Sequence, residues 1–207
     1  MSKTVIHQDK IFKSELIIAA AQKRFGIYGV EKTSMREIAH DLQMTKGALY
    51  YYFPGKENLY KAVIDKEQNE FLKKLEDDVQ IATDNAGYLK NYAVKRLSYF
   101  RTLLNLGRIK QESLADIMPF VSKSLKNFSE KEKDMIMHIL EKGNATGEFN
   151  IKDPSNTALL FLDLLRGLRS SVINNKRMLI INEKEYNLLL KKTLDFSEIF
   201  INGLRHR

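Results

Sequence analysis

The chain has 207 residues, 43% of them hydrophobic, which is enough apolar material for one large domain or two small ones. It holds no cysteine, which removes disulfides, thiol nucleophiles and cysteine-based zinc sites. Its polar start, Met1 to Lys10, lacks the apolar run of a signal peptide, so a cytoplasmic address is expected. Net charge is +8, and residues 1 to 66 carry 11 basic and 7 acidic side chains, so half the excess sits in a third of the chain. That mild tilt favours a polyanionic partner without identifying one.

Only three prolines occur, and nearly every segment repeats its apolar residues with a period near 3.6, so an all-α fold is predicted. Ile11 to Gly29 reads as a first helix with Phe12, Leu16, Ala19, Ala20 and Phe25 on its inner face, ending at Tyr28-Gly29-Val30. Ser34 followed by Glu37 is a capping box that starts a short second helix. Ile38, Ala39 and Leu42 form its apolar face, opposite Arg36, Glu37, His40 and Asp41. Thr45 can cap a third helix, Lys46 to about Tyr52, and Phe53-Pro54-Gly55-Lys56 suits a turn before a fourth. Leu49 and Phe53 are i and i+4 and face the core, which turns Lys46, Gly47, Tyr50 and Tyr51 or Tyr52 outward. Leu42 to Lys56 contains two lysines and no acid, which is the chemistry of a phosphate-facing surface. A packed tyrosine cluster beside solvated lysines is the competing reading, and it leaves the absent acids unexplained.

Thr33-Ser-Met-Arg-Glu-Ile-Ala39, Thr45-Lys-Gly-Ala-Leu-Tyr-Tyr-Tyr-Phe53 and Lys56-Glu-Asn-Leu-Tyr60 resemble the DNA-binding domain of TetR-family transcriptional regulators. The likeness covers roughly the first 66 residues. It implies that Thr45, Lys46, Tyr50 and Lys56 hold phosphates, that Gly47 and Tyr51 or Tyr52 lie against base edges, and that Thr33 and Ser34 touch the duplex backbone. One residue departs from the family: Gln43 stands in the turn where a Gly is usual. A Gln there should cost on the order of 1 kcal/mol if the left-handed backbone is kept. The expected domains are residues 1–55, a three-helix helix-turn-helix domain, and residues 56–207, a larger helical domain for effector binding and dimerisation.

Lys56 to about Asp84 reads as one long helix with Leu59, Val63, Phe71, Leu75 and Val79 inward, linking the two parts. Helices are then expected from Tyr88 to about Asn105 and from about Ile109 toward Met118-Pro119, with further pieces to Asn127. Ser129 with Glu132 looks like a second capping box, opening a helix that ends at the glycines Gly143 and Gly147. Asp153-Pro154 is a strong helix start, and the helix behind it, with Leu159, Leu160, Phe161, Leu162, Leu164, Leu165, Leu168 and Val172, is apolar around most of its circumference. Glu183 to about Leu204 is similarly rich. Such helices need cover on two sides, which a two-fold dimer supplies through residues of about 154–174 and 183–204 meeting their copies as a four-helix bundle. Central positions in a monomeric bundle are the alternative, and the resemblance favours the homodimer.

No GxGxxG, GxxxxGK[ST], GxSxG or HExxH pattern occurs, so no enzyme chemistry, cofactor or metal is expected. His7, His40, His138 and His206 are far apart, without ligand spacing. Ala158 to Leu168 is broken by Asp163, Arg166 and Gly167, so no membrane span is expected. The family resemblance implies a small, often apolar effector held in the middle domain, for which Tyr92, Arg96, Tyr99, Phe100, Met118, Phe120, Met135 and Phe161 are candidates, although at helical spacing each also suits an ordinary core. The expected function is a homodimeric DNA-binding regulator, a repressor on a near-palindromic double-stranded DNA operator. The rival is a helical ligand- or protein-binding module of the same fold that does not act through specific DNA binding.

Overall fold

The computed structural model describes residues 3–81, 84–102, 114–173 and 182–205. Among these lie eight helices: α1 (Lys3–Tyr28), α2 (Met35–Asp41), α3 (Lys46–Tyr52), α4 (Lys56–Ile81), α5 (Asn85–Thr102), α6 (Leu114–Ala145), α7 (Pro154–Ile173) and α8 (Glu183–Leu204). The all-α expectation holds. Two compact units divide the chain, Met1–Glu67 with Leu104–Ser124, and Gln68–Leu103 with Leu125–Arg207. Val79 and Phe100 lie outside the described side chains, and the expected helix start near Ile109 and His206 lie outside the described residues.

In the first unit α1 packs on α2 and α2 on α3. The buried stripe of α1 is Ile17, Ala21 and Phe25, and the Phe25 ring meets buried Tyr60 of α4 edge-on at 5.5 Å. This corrects the expected face of α1: Phe12 is 62% exposed and Leu16 and Ala19 are also exposed. The cause is register. Residues 17, 21 and 25 form a straight i, i+4 ridge, and Phe12 and Leu16 fall one residue off it. Met35, Ile38, Ala39, Leu49, Phe53, Leu59, Val63 and Ile64 complete this core.

The second unit has its own core, built from Phe71, Leu72 and Leu75 of α4, Tyr88, Leu89, Tyr92 and Ala93 of α5, Phe128, Ile136, Ile139 and Leu140 of α6, and Phe161, Leu162 and Leu165 of α7. Helix α8 packs on α5 and α7. The α5 N-terminus is held from a distance, because the Glu148 carboxylate accepts the Asn85 and Ala86 backbone N–H groups at 3.0 and 2.8 Å and the Asn85 side-chain amide at 2.8 Å. Two orphan backbone donors and one side-chain amide are thereby satisfied by one anion at the positive end of a helix dipole. Asp153 caps α7 as expected, its carboxylate accepting from Asn156 N at 2.9 Å. Asn182 with Glu185 forms a capping box on α8.

Helix α6 departs from expectation. It continues through Pro119 and Ser129 as 32 residues, so neither the stop at Pro119 nor the capping box at Ser129 exists. A proline removes one backbone bond but need not end a helix whose flanking turns are packed, and Ile117 and Val121 on either side are buried. The Ser129 hydroxyl accepts instead from Arg166, and Glu132 turns into the core. Gly143 is not a helix end either: it lies inside the last turn, where a Cβ would strike the buried Phe149 ring. Gly147, at φ 76°, is the glycine that leaves the helix. Phe149 then bridges to Arg205, with Asn150 N donating to Leu204 O at 2.9 Å.

Candidate nucleic-acid interface

Helix α3 is two turns long, and its exposure follows the expected division. Leu49 is fully buried and Phe53 nearly so, whereas Thr45, Lys46, Gly47, Tyr50 and Tyr51 are exposed and Tyr52 and Lys56 half-buried. Thr45 caps the helix, its hydroxyl accepting from Ala48 N at 3.2 Å. The aromatic rings serve as supports. Lys46 Nζ lies 5.4 Å from the Tyr50 ring centroid, Lys10 Nζ lies 5.0 Å from that of Tyr51, and Tyr51 meets Tyr52 edge-on at 5.3 Å. Each cation–π contact holds an ammonium over a ring face. A Cβ added at Gly47 would meet no atom within 4 Å, so the protein's own packing does not require a glycine there.

The supporting helix α2 is fixed at both ends. Ser34 Oγ accepts from Glu37 N at 3.3 Å, and Glu37 Oε2 accepts from Ser34 N at 2.8 Å, which is the capping box read in the sequence. Arg24 of α1 clamps the other end, its Nε and Nη2 on the two Asp41 oxygens at 2.6 and 3.1 Å, with Nη1 3.1 Å from Glu37 Oε1. The hydrogen bonds from Ser34, then Arg24, hold Glu37 below its ordinary pKa; for Asp41 the Arg24 hydrogen bond is the main cause. Bidentate guanidinium–carboxylate pairs fix geometry as well as charge. In the turn, Gln43 takes φ 53°, the left-handed backbone for which a Gly is usual, and Met44 N closes the turn on Ala39 O at 2.9 Å.

Thr33 and Ser34 separate. Ser34 is exposed. Thr33 is only 2% exposed and its hydroxyl donates to Gly29 O at 2.8 Å, so in this structure it ties the end of α1 to the start of α2 and is not on the outer surface.

Of the residues expected around an effector, Tyr92, Phe161, Tyr99 and Met135 share the core of the second unit. Tyr92, Arg96 and Phe161 are buried in the second unit, where Tyr92 and Phe161 pack with ring centroids 6.2 Å apart. Tyr99 stacks on Phe71 at 3.9 Å, and Met135 Sδ accepts from Tyr88 Oη at 3.0 Å. Met118 and Phe120 belong to the first unit and are exposed. Sequence reasoning read Glu132 only as half of a helix cap, whereas it accepts from Tyr92 Oη at 2.6 Å and from Arg96 Nε and Nη2 at 2.7 and 3.2 Å, all buried. Burial alone would push the Arg96 guanidinium down, but the Glu132 carboxylate overrides it and the net shift is upward; burial, then Glu132, raises Tyr92. The signal was available: Phe128, Glu132, Ile136 and Ile139 form one helical stripe, and an acid inside an apolar stripe asks for a buried partner. Arg96 also lines a small cavity with Leu97, Leu165, Leu189, Thr193 and Arg169, whose guanidinium burial lowers to a pKa of about 10.

A family model described as bacterial regulatory proteins, tetR family, matches residues 17–63, which span the last part of α1, α2, α3 and the start of α4. The crystal structure of a transcriptional regulator from Cytophaga hutchinsonii is 36% identical, with a TM-score of 0.84, over 94% of this chain and 99% of that one. The HTH-type transcriptional regulator QacR of Staphylococcus aureus is 25% identical over 199 residues, 91% of this chain and 96% of QacR. The transcriptional regulator FadR of Bacillus subtilis, solved in complex with stearoyl-CoA, shares the fold at a TM-score of 0.61 and 17% identity, over 92% of this chain and 99% of that one. A helix-turn-helix with an outward-facing third helix and full-length likeness to regulators lead to one conclusion: the chain belongs to the TetR family of bacterial regulatory proteins and is a DNA-binding transcriptional regulator, not an enzyme.

Proposed function

We propose that the protein is a homodimeric repressor that binds a near-palindromic operator through α3 and leaves it when a small effector binds the second unit. The observation that carries this reading is the outer face of α3. Thr45, Lys46, Gly47, Tyr50 and Tyr51 are exposed together, and Gly47 leaves open a close backbone approach that nothing inside the protein uses. Lys56 at the start of α4 and Ser34 at the cap of α2 would add phosphate contacts beside it. In a dimer the two α3 helices would enter successive major grooves about 34 Å apart.

The dimer is supported by apolar side chains left outside. Leu159, Leu160 and Leu164 on α7 and Leu188 and Ile199 on α8 are exposed, Ile199 at 74%. Gly167 on α7 and Gly203 on α8 continue these faces, and a Cβ at either would meet no atom within 4 Å. Helices that present leucines and bare glycines outward suit burial against a second copy. The effector is supported by the FadR complex and by the polar and apolar mixture around Arg96. An effector would act by preferring the conformation with poorly spaced α3 helices, lowering DNA affinity by its differential affinity and no more.

A gel shift on fragments flanking the protein's own gene tests the reading at physiological salt. Specific retention at a stoichiometry of two chains is the expected result. Weak binding that collapses between low and physiological salt would refute sequence-specific regulation and leave a helical binding module of the same fold.

A further inference from the structure

The ridge by which α1 enters the first core, Phe25, Ala21 and Ile17, continues toward the N-terminus at steps of three and four residues through Ser14, Lys10 and His7. Its character changes along the way. Phe25, Ala21 and Ile17 are buried, Ser14 is half-buried, and Lys10 and His7 are exposed. The face is thus apolar where it meets protein and basic or titratable beyond. A surface that ended in ordinary solvent would not need to place its cation against the recognition helix, yet Lys10 Nζ sits over the Tyr51 ring, 5.0 Å from its centroid, and that ring is 69% exposed on α3.

We infer that the N-terminal turns of α1 form a second DNA-contacting element, in which Lys10, seated on Tyr51, neutralises a backbone phosphate at the rim of the groove that α3 enters. This rests on the interface proposed for α3. The scale fits: the major groove is about 12 Å wide, so a cation 5.0 Å from a ring inside it reaches the phosphates on one wall. The contact is to phosphate and carries no base information of its own, but it lengthens the footprint and fixes the register of α3. Asp9 and Glu15 also lie on α1, off the ridge, so the basic character belongs to the ridge and not to the helix as a whole.

The test is the salt dependence of DNA affinity for the full-length protein, on a duplex selected by the protein from a random-sequence pool and on an unrelated duplex of equal length. Lys10→Ala should lower the magnitude of the log affinity against log salt slope by about 0.9 per protomer, about 1.8 for a dimer. Between about 50 and 200 mM salt the affinity gap from wild type should then narrow by about twelvefold. Lys10→Arg should keep the slope, and Lys23→Ala, exposed on the opposite side of α1, should leave it unchanged. Circular dichroism verifies the fold, which an exposed Lys→Ala change in a helix leaves intact. An unaltered slope for Lys10→Ala on both duplexes overturns the inference. Equal wild-type affinity for the two duplexes would instead overturn sequence-specific binding, while the slope comparison would still decide the role of Lys10.

Discussion

Replacing Gly47 by Ala separates what α3 needs for folding from what it needs for DNA. In the fold the added methyl meets no atom within 4 Å, and Gly47 is not among the residues at positive φ, so an Ala fits the helical backbone without strain. A Gly inside a helix is less favourable than Ala by about 0.8–1 kcal/mol, and the second position of a two-turn helix realises part of that, roughly 0.5–1 kcal/mol. For a chain of this length each kcal/mol raises the melting temperature by about 2–4 °C, so Gly47→Ala should melt about 1–4 °C higher than wild type. DNA affinity should move the other way. If the α3 backbone lies against base edges at Gly47, a methyl group there holds the duplex off and loosens the neighbouring contacts of Lys46 and Tyr50. A loss of tenfold or more is expected, about 1.4 kcal/mol. Differential scanning calorimetry and a fluorescence-anisotropy titration, both at physiological salt, read the two effects on the same preparation. A variant that binds DNA as wild type does would refute close approach at Gly47, and one that melts lower would refute the helical assignment of α3.

Gln43→Gly should stabilise the protein by roughly 0.5–1 kcal/mol, because it removes a left-handed penalty of about 1–2 kcal/mol and restores part of it as unfolded-chain entropy; a thermal melt measures this, and the exposed side chain leaves no packing to lose. Glu132→Gln removes the anion beside buried Arg96 and should cost about 3–5 kcal/mol in urea unfolding, whereas Glu132→Leu combined with Arg96→Met should recover most of that loss. Gly143→Ala should cost about 1–3 kcal/mol by forcing the buried Phe149 ring aside, despite the better helix propensity of Ala. Asp41 and Glu37 are held below their ordinary pKa values in the fold, so the native state binds fewer protons than the unfolded chain. The Arg24 clamp therefore contributes fully above the ordinary carboxylate range and is lost as pH falls through the lowered values. Arg24→Ala should be less stable than wild type near neutral pH and indistinguishable from it in strong acid or high salt, as paired melts across pH would record.

The helix-turn-helix was legible because its signals are local. Ser34 with Glu37, Thr45 before Lys46, and Leu49 with Phe53 each act within four residues, and the structure places all of them as the spacing implies. The α7 start at Asp153-Pro154 and the span of α8 were readable for the same reason. Misreadings arose where a distant partner outbids a local pattern. Ser129 and Glu132 have the spacing of a cap, but Arg166 takes the hydroxyl and Arg96 the carboxylate, and both arginines come from other helices. The face of α1 was misjudged because its large side chains, Phe12 and Leu16, outweighed a ridge carried by Ile17, small Ala21 and Phe25. No spacing rule could have brought Lys10 to Tyr51, since they stand 41 positions apart in the sequence.

Three glycines sort the surfaces better than the charges do. Gly143 has an internal reason, the Phe149 ring, and Gly29 and Gly147 have a conformational one, at φ 85° and 76°. Gly47, Gly167 and Gly203 have neither, although each sits in or at the end of a helix where Ala would be better by up to about 1 kcal/mol. A residue that weakens the fold and answers to nothing inside it points to something outside. Gly47 lies among Lys46 and the tyrosines of α3, whose natural complement is a polyanion. Gly167 and Gly203 lie among the exposed Leu160, Leu164 and Ile199, whose complement is another apolar helix. On the proposed reading the same omission of a side chain answers to two different partners, and the neighbouring residues distinguish the duplex from the proposed second copy of the chain.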